Sequence, residues 1–221
     1  MTARAVYTTQ QGPHAGLRAV VRRHAAVPWR APCPEHTRRA FDSIHGLATR
    51  HGREVAFDLG CGTGESTLAL AAQSPSRLVL GLDRSEHRLR RAAERPRPDN
   101  ARFVRCDAAH FCALASAAGW NVSHLYILYP NPYPKAGHLR RRWHGHPIFP
   151  ILTQLPAALE LRTNWEIYAR EFELSLVELG REAAARRVEQ EAPISAFERK
   201  YVRRGEGCTA VVSPAPRRPE R

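Results

Sequence analysis

Val55-Ala56-Phe57-Asp58-Leu59-Gly60-Cys61-Gly62-Thr63-Gly64 decides the fold class. Its first half is a short apolar run and reads as a buried strand. Its second half places glycine at every other position. Such a turn can bend sharply and lets a ligand approach the backbone without meeting a Cβ. Downstream, helix and strand alternate. A helix runs from Gly64 through Leu68–Ala72 and stops before Pro75. Arg77–Leu82 is the next strand and Ser85–Glu94 the next helix. Arg102–Cys106 is a strand, Ala108–Ala118 a helix and His124–Tyr129 the fourth strand. After a long polar connection, Ile148–Ala158 reads as helix, Leu159–Arg162 as strand and Trp165–Leu179 as a long helix. Two late strands follow, near Arg187 and over Cys208–Val212. Repeated strand–helix units predict one α/β domain, a mostly parallel sheet with helices on both faces.

Upstream, residues 1–13 read as a loose arm. His14–Val27 reads as a short amphipathic helix and Glu35–Arg50 as a second one, separated by the proline-rich break Pro28–Pro34. The expected division is therefore an arm with two helices (1–52), one large domain (53–213) and a disordered basic tail (214–221). No run nears the roughly 18 apolar residues of a membrane span, and the first ten residues lack a signal peptide's apolar stretch. A soluble, cytoplasmic protein is expected. The five cysteines contain no Cys-x-x-Cys pair, so neither a disulfide framework nor a metal site is predicted. The net charge is +13, which points to a polyanionic partner, nucleic acid first. Nearly all the basic residues are Arg, with Lys only at Lys135 and Lys200. The skew is equally consistent with a GC-rich coding sequence.

In open α/β sheets, ligands bind at the carboxyl ends of the strands. Asp58, Asp83 and Asp107 close three successive predicted strands. A carboxylate at Asp83 is placed to accept the ribose hydroxyls of a nucleoside, and one at Asp107 to accept an adenine amino group. A nicotinamide dinucleotide would call for glycine where Glu65 stands. Glutamate at that helix start is also awkward beside a pyrophosphate. S-adenosylmethionine carries no phosphate, and its cationic groups tolerate Asp58.

The glycine turn with its three acids resembles the seven-stranded, Rossmann-like methyltransferase superfamily over about residues 53–212. That resemblance implies cofactor contacts from Asp58, Gly60, Cys61, Gly62, Gly64, Asp83, Arg84, Asp107 and Ala108. In that superfamily the loop after the fourth strand faces the methyl group. Here it is Tyr129-Pro130-Asn131-Pro132-Tyr133-Pro134-Lys135, followed by Arg140-Arg141-Arg142. This loop, Thr163-Asn164-Trp165-Glu166-Ile167-Tyr168 and Ser195-Ala196-Phe197-Glu198-Arg199-Lys200 together resemble three segments of the tRNA guanine-N7 methyltransferases. The resemblance implies a tRNA partner and gives Asn131 a cofactor and catalytic position. It gives Lys135, Asn164, Ser195, Phe197 and Glu198 substrate positions. Asn131 and Asn164 stand where that family carries Asp, Tyr133 where it carries Trp, and Ser195 where it carries Thr. Methylating guanine N7 needs positioning rather than a general base, but its product is cationic and a carboxylate would stabilise it. The losses lower the rate or mark another substrate.

Asn131-Pro132-Tyr133 also resembles the Asn-Pro-Pro-Tyr loop of enzymes that methylate exocyclic amino groups. Three readings stay open: a tRNA guanine-N7 enzyme, a same-fold enzyme for another base or a small molecule, and a non-catalytic RNA-binding relative. Lys135 and Arg140–Arg142 are expected to grip the RNA backbone. His138, His144 and His146 beside them read singly as exposed histidines. Arg88, Arg90 and Arg91 read as a phosphate-binding face or a solvated helix face, and most of Trp29, Trp120, Trp143 and Trp165 as packing residues.

Overall fold

The computed structural model describes residues 8–188, 193–205 and 207–216. Helices α1 (Leu17–Ala26) and α2 (Glu35–Thr49) precede strand β1 (Val55–Leu59). Then come α3 (Glu65–Gln73), β2 (Leu78–Asp83), α4 (Glu86–Ala93), β3 (Ala101–Arg105), α5 (Ala108–Ala117) and β4 (Val122–Leu128). The second half holds α6 (Phe149–Gln154), β5 (Ala158–Thr163), α7 (Glu166–Glu178), β6 (Ala184–Arg187), α8 (Ala196–Arg203) and β7 (Thr209–Ser213).

The strands form one seven-stranded sheet in the order β3-β2-β1-β4-β5-β7-β6. Strands β1 to β5 are parallel, and β7 is antiparallel to both β5 and β6. The strand order reverses between β1 and β4. The central strands β1 and β2 are buried along their whole length, as continuous apolar strands between two helix layers must be. Phe57, Phe111 and Trp120 pack edge to face beneath the sheet, with Phe41 of α2 stacked on Trp120 at 4.8 Å.

The predicted fold holds, with two corrections and one refinement. The helix expected over Ile148–Ala158 is only α6, because Leu155 already has extended backbone. The connection after β4, read as a long polar stretch, forms two 3-10 turns. The arm read as loose is pinned wherever it is described. Thr8 Oγ1 donates to the Pro134 carbonyl at 2.7 Å, and Gln10 Nε2 donates to Glu171 at 2.7 Å. Residues 1–7 and 217–221, including most of the expected tail, lie outside the described residues.

Candidate functional site

A cavity of about 930 Å³ opens at the carboxyl ends of β1 to β4, where the strand order reverses. Its size is that of a small-molecule cleft. The glycine turn forms its floor. Gly60 and Cys61 donate to the Leu82 carbonyl, at 2.8 and 3.2 Å, so the turn is fastened to β2. Gly60 has φ of +81°, and a Cβ there would meet nothing within 4 Å. The backbone therefore faces open space that a side chain would occupy. Gly64 has φ of +78°, and a Cβ on it would lie 2.5 Å from Phe103 and 2.8 Å from Ala92. Gly64 is thus needed to seat α3 against β3 rather than to touch a ligand.

The three acids divide their work. Asp83 lies in the wall and is 3% exposed. Its Oδ2 accepts from Gly62 N–H at 3.0 Å, and its Oδ1 from Ser85 N–H at 2.7 Å and from Arg88 at 3.0 Å. Arg88 also lines the cavity, so it does not belong to a merely solvated helix face. Asp107 caps α5: its Oδ1 accepts from the N–H groups of Ala109 and His110 and pairs with His110 Nδ1 at 3.0 Å. Burial alone would raise the Asp107 carboxyl, but His110 and Arg84 hold it below the usual carboxylate range. Asp58, expected at the cofactor, is not in the wall. It is buried behind the turn, where its Oδ2 accepts from Ser66 and Thr67 at 2.6 and 2.7 Å. Burial pushes its carboxyl up, against those two hydroxyls. Asp58 locks the first turn of α3 onto β1.

Opposite the glycine turn, the loop after β4 is conformationally costly. Tyr129 and Tyr133 have φ of +51° and +46°, each immediately before a proline, which restricts the preceding residue further. Asn131 is exposed between them, and its Oδ1 accepts from Tyr133 N–H at 3.3 Å. The side-chain amide N–H₂ has no hydrogen-bond partner among the described residues, and the oxygen keeps a second lone pair.

The loop is held from behind by Arg142, which is 0% exposed. Its guanidinium donates to the Tyr133 carbonyl at 3.0 Å, the Lys135 carbonyl at 3.4 Å and Gln10 Oε1 at 3.0 Å. It lies 4.7 Å over the Trp165 ring and pairs with buried Glu171. Glu171 also accepts from His144 Nε2 at 2.9 Å and His14 N–H at 2.8 Å. Two expectations are thereby corrected. Arg142 is a buried strut, not part of an RNA-gripping run, and His144 is fully buried. Both lie where the chain must cross under α7, and a buried guanidinium needs a carboxylate beside it. Arg140 and Arg141 remain exposed on the wall.

Of the remaining expected residues, Gly60, Cys61, Gly62, Arg84, Ala108, Asn131, Asn164, Ser195 and Phe197 line the cavity. Gly64, Lys135 and Glu198 do not. Lys135 is exposed beyond the rim. Glu198 is 1% exposed, pairs with Arg162 at 2.8 Å and accepts from Ile194 N–H, while the Ser195 hydroxyl accepts from Glu198 N–H. That reciprocal capping starts α8, so Glu198 supports the wall from outside it. The sequence pattern did not reveal His110, Trp143, His146, Tyr168 and Tyr201 in the wall. His110 was recoverable, since it lies one helical turn from a capping Asp. The other four arrive through tertiary packing.

Every carboxylate in the wall is engaged: Asp83 and Asp107 as above, and Glu65 by Arg95 and Arg199. Apart from those three carboxylates, the polar residues of the wall are amides, hydroxyls, histidines, arginines and rings with polar tips.

Comparison with known proteins places this site in a context. Residues 52–210 match the family model described as "Putative methyltransferase". A tRNA (guanine-N(7)-)-methyltransferase of Leifsonia xyli is 35% identical over 135 residues, covering 58% of this chain and 57% of that protein. This chain thus spans little more than half of that relative's length. One from Burkholderia ambifaria is 29% identical over 204 residues, covering 84% of this chain and 73% of that one. Among solved structures, an antibiotic-related methyltransferase superposes with a TM-score of 0.58 at 16% identity, covering 80% of this chain and 94% of that chain. At that identity it supports the fold alone.

Proposed function

The chain belongs to this methyltransferase family, whose model spans residues 52–210, and from that premise we propose that it transfers a methyl group from S-adenosylmethionine to N7 of a guanine in tRNA. The cofactor, when bound, supplies an electrophilic methyl group on a sulfonium.

The residues fit such a group. The open floor before Gly60 and Gly62 suits a phosphate-free ligand. The start of α3 is occupied by the Glu65 carboxylate with its two arginines, which leaves no bare anion site there. A carboxylate has about four acceptor positions. Asp83 uses three of them on Gly62, Ser85 and Arg88, so one remains for a ribose hydroxyl and a second becomes available when exposed Arg88 swings away. The Oδ2 of Asp107, which meets only the exposed Arg84 guanidinium at 3.9 Å among the described residues, accepts an adenine amino group, and the Ala108 N–H at the start of α5, unpaired among the described residues, donates to the ring.

The observation that carries the choice of acceptor is the orientation of Asn131. One lone pair of its oxygen is used by Tyr133 N–H, while its amide N–H₂ has no partner among the described residues and offers a donor. Guanine presents two acceptors side by side in the major groove, O6 and N7, whereas adenine presents an amino donor beside N7. A donor at Asn131 suits O6, leaves the N7 lone pair directed at the methyl group and repels an amino group. Tyr133 and Phe197, the latter 57% exposed, offer rings for stacking on an extruded base.

The test is incubation with labelled S-adenosylmethionine and unmodified tRNA transcripts, followed by nucleoside mass spectrometry. 7-Methylguanosine is expected. A different methylated nucleoside, or label in a small molecule only, overturns the acceptor assignment. RNA binding without transfer overturns the activity.

A further inference from the structure

We propose that a second cavity beside the first, carrying Arg186 and Arg187 on β6, seats a backbone phosphate of the RNA strand next to the target nucleotide; this rests on the RNA reading above.

The second cavity measures about 470 Å³, and Asn164 lines both it and the main cleft. The two are therefore neighbouring compartments of one surface. The fold puts them at the same end of the sheet. Arg187 pairs with Thr209 across the β6–β7 ladder, and Thr209 pairs with Thr163 across β7–β5. Adjacent strands lie about 4.8 Å apart, so the Arg187 backbone stands roughly 10 Å from Thr163, the residue before Asn164. That separation suits a group on the same strand as a base held in the main cleft, but not a group on that base itself.

The charge fits a phosphate. Strand β6 is exposed at every residue. Among the described residues, neither Arg186 nor Arg187 has an ion-pair partner. Glu166 also lines this cavity, but it is engaged by Arg170 at 3.1 Å. Guanidinium groups bind phosphate oxygens through paired N–H donors. Charged side chains on an edge strand also deter unwanted strand pairing, which accounts for arginine on β6. It does not account for both of them lining a cavity that shares Asn164 with the cleft.

The experiment compares the wild-type chain with Arg186→Gln/Arg187→Gln and Arg186→Lys/Arg187→Lys. Affinity for an unmodified tRNA transcript is read at several salt concentrations, together with kcat and KM for methyl transfer and calorimetric S-adenosylmethionine binding. Each phosphate that is no longer neutralised lowers the slope of log affinity against log salt by about 0.7–0.9. The glutamine variant is expected to flatten the slope by about one to two phosphates' worth and to raise KM for tRNA. Its kcat at saturating tRNA and its cofactor affinity should stay at wild-type values. The lysine variant retains most of the slope. An unchanged slope in the glutamine variant, with wild type methylating tRNA, overturns the phosphate subsite alone. An equal loss of transfer to free guanosine also overturns it, because the arginines would then serve the acceptor base. Wild-type protein that neither binds nor methylates RNA overturns the RNA reading, and the subsite with it.

Discussion

Asp83 and Asn131 both line the cleft and set the residue-scale tests. Asp83 is a turn-fastener as well as a candidate ribose acceptor, because Gly62 N–H and Ser85 N–H both end on it. Alanine would remove both roles, whereas Asp83→Asn keeps one oxygen for the turn and loses the charge. Charge-assisted hydrogen bonds are worth about 1.5–3 kcal/mol, so Asp83→Asn should weaken S-adenosylmethionine binding about 10- to 150-fold. Calorimetry on the two proteins measures this, and equal affinities would remove Asp83 from the cofactor site. At Asn131 the donor reading predicts a loss from either substitution. A neutral hydrogen bond contributes about 0.5–1.5 kcal/mol, so Asn131→Ala should lower kcat/KM on tRNA about 2- to 10-fold. Asn131→Asp should lower it further, because a carboxylate repels O6. A faster Asn131→Asp enzyme would instead mean that the uncompensated positive charge on the methylated ring limits the reaction.

At the scale of elements, the loop after β4 depends on a strut that sequence spacing did not reveal. Two tyrosines in left-handed conformations before prolines persist only where their surroundings over-determine them. Arg142 supplies that constraint through the Tyr133 and Lys135 carbonyls, and Glu171 of α7 and Gln10 of the arm keep Arg142 in place. Along the chain, Arg142 is the third of three arginines beside a loop and has the pattern of surface charge. Only the crossing of the connection under α7 separates it from Arg140 and Arg141. The expected consequence is specific. Arg142→Lys keeps the charge opposite Glu171 but loses the planar fork to two carbonyls. Misplacing the loop by an ångström costs up to about 100-fold, so kcat should fall about 10- to 100-fold. S-Adenosylmethionine affinity should stay within about two-fold, since the glycine turn is untouched. Steady-state kinetics beside calorimetry tests this. A parallel loss of cofactor binding would show that Arg142 supports the whole fold rather than the loop.

On the scale of the molecule, the sheet was legible because β1 and β2 are continuous buried runs, β5 alternates buried and half-buried residues, and turns with glycine, proline or aspartate separate the strands. The edge strand β6, Ala-Ala-Arg-Arg, lies where the sequence predicts a late strand near Arg187, but nothing in its pattern points to a site, and its importance comes from its neighbours. The glycine turn and Asp83 were legible as a local motif. The roles of Asp58 and Glu198 were not, since their carboxylates turn inward, Asp58 to the Ser66 and Thr67 hydroxyls and Glu198 to Arg162 and the Ile194 N–H. The same inward chemistry shapes how the whole molecule responds to acid. Burial alone would raise the Glu171 carboxyl, but hydrogen bonds from His144, Arg142 and His14 N–H hold it at about 2, against an ordinary 4.5. Its folded-state pKa is depressed, so the stability it contributes is fully present above about 4.5 and is lost as pH falls from there toward 2. Burial lowers the His144 pKa from its ordinary 6.5, so the unfolded chain takes up that proton more readily and folding is disfavoured as pH drops below that value. Both groups act in one direction: Tm should decline from pH 7 downward and most steeply below about 4.5. Glu171→Gln removes the anion and leaves Arg142 buried without a counter-charge. Breaking a buried pair in this way costs about 3–5 kcal/mol, and a domain of this size shifts by about 2–4 °C per kcal/mol. The variant should therefore melt on the order of 10 °C lower at pH 7 and lose less stability between pH 4.5 and 3 than wild type. Thermal melts followed by circular dichroism across that range, with reversibility checked at each pH, measure both effects. Parallel curves for the two proteins would show that Glu171 does not carry the acid sensitivity.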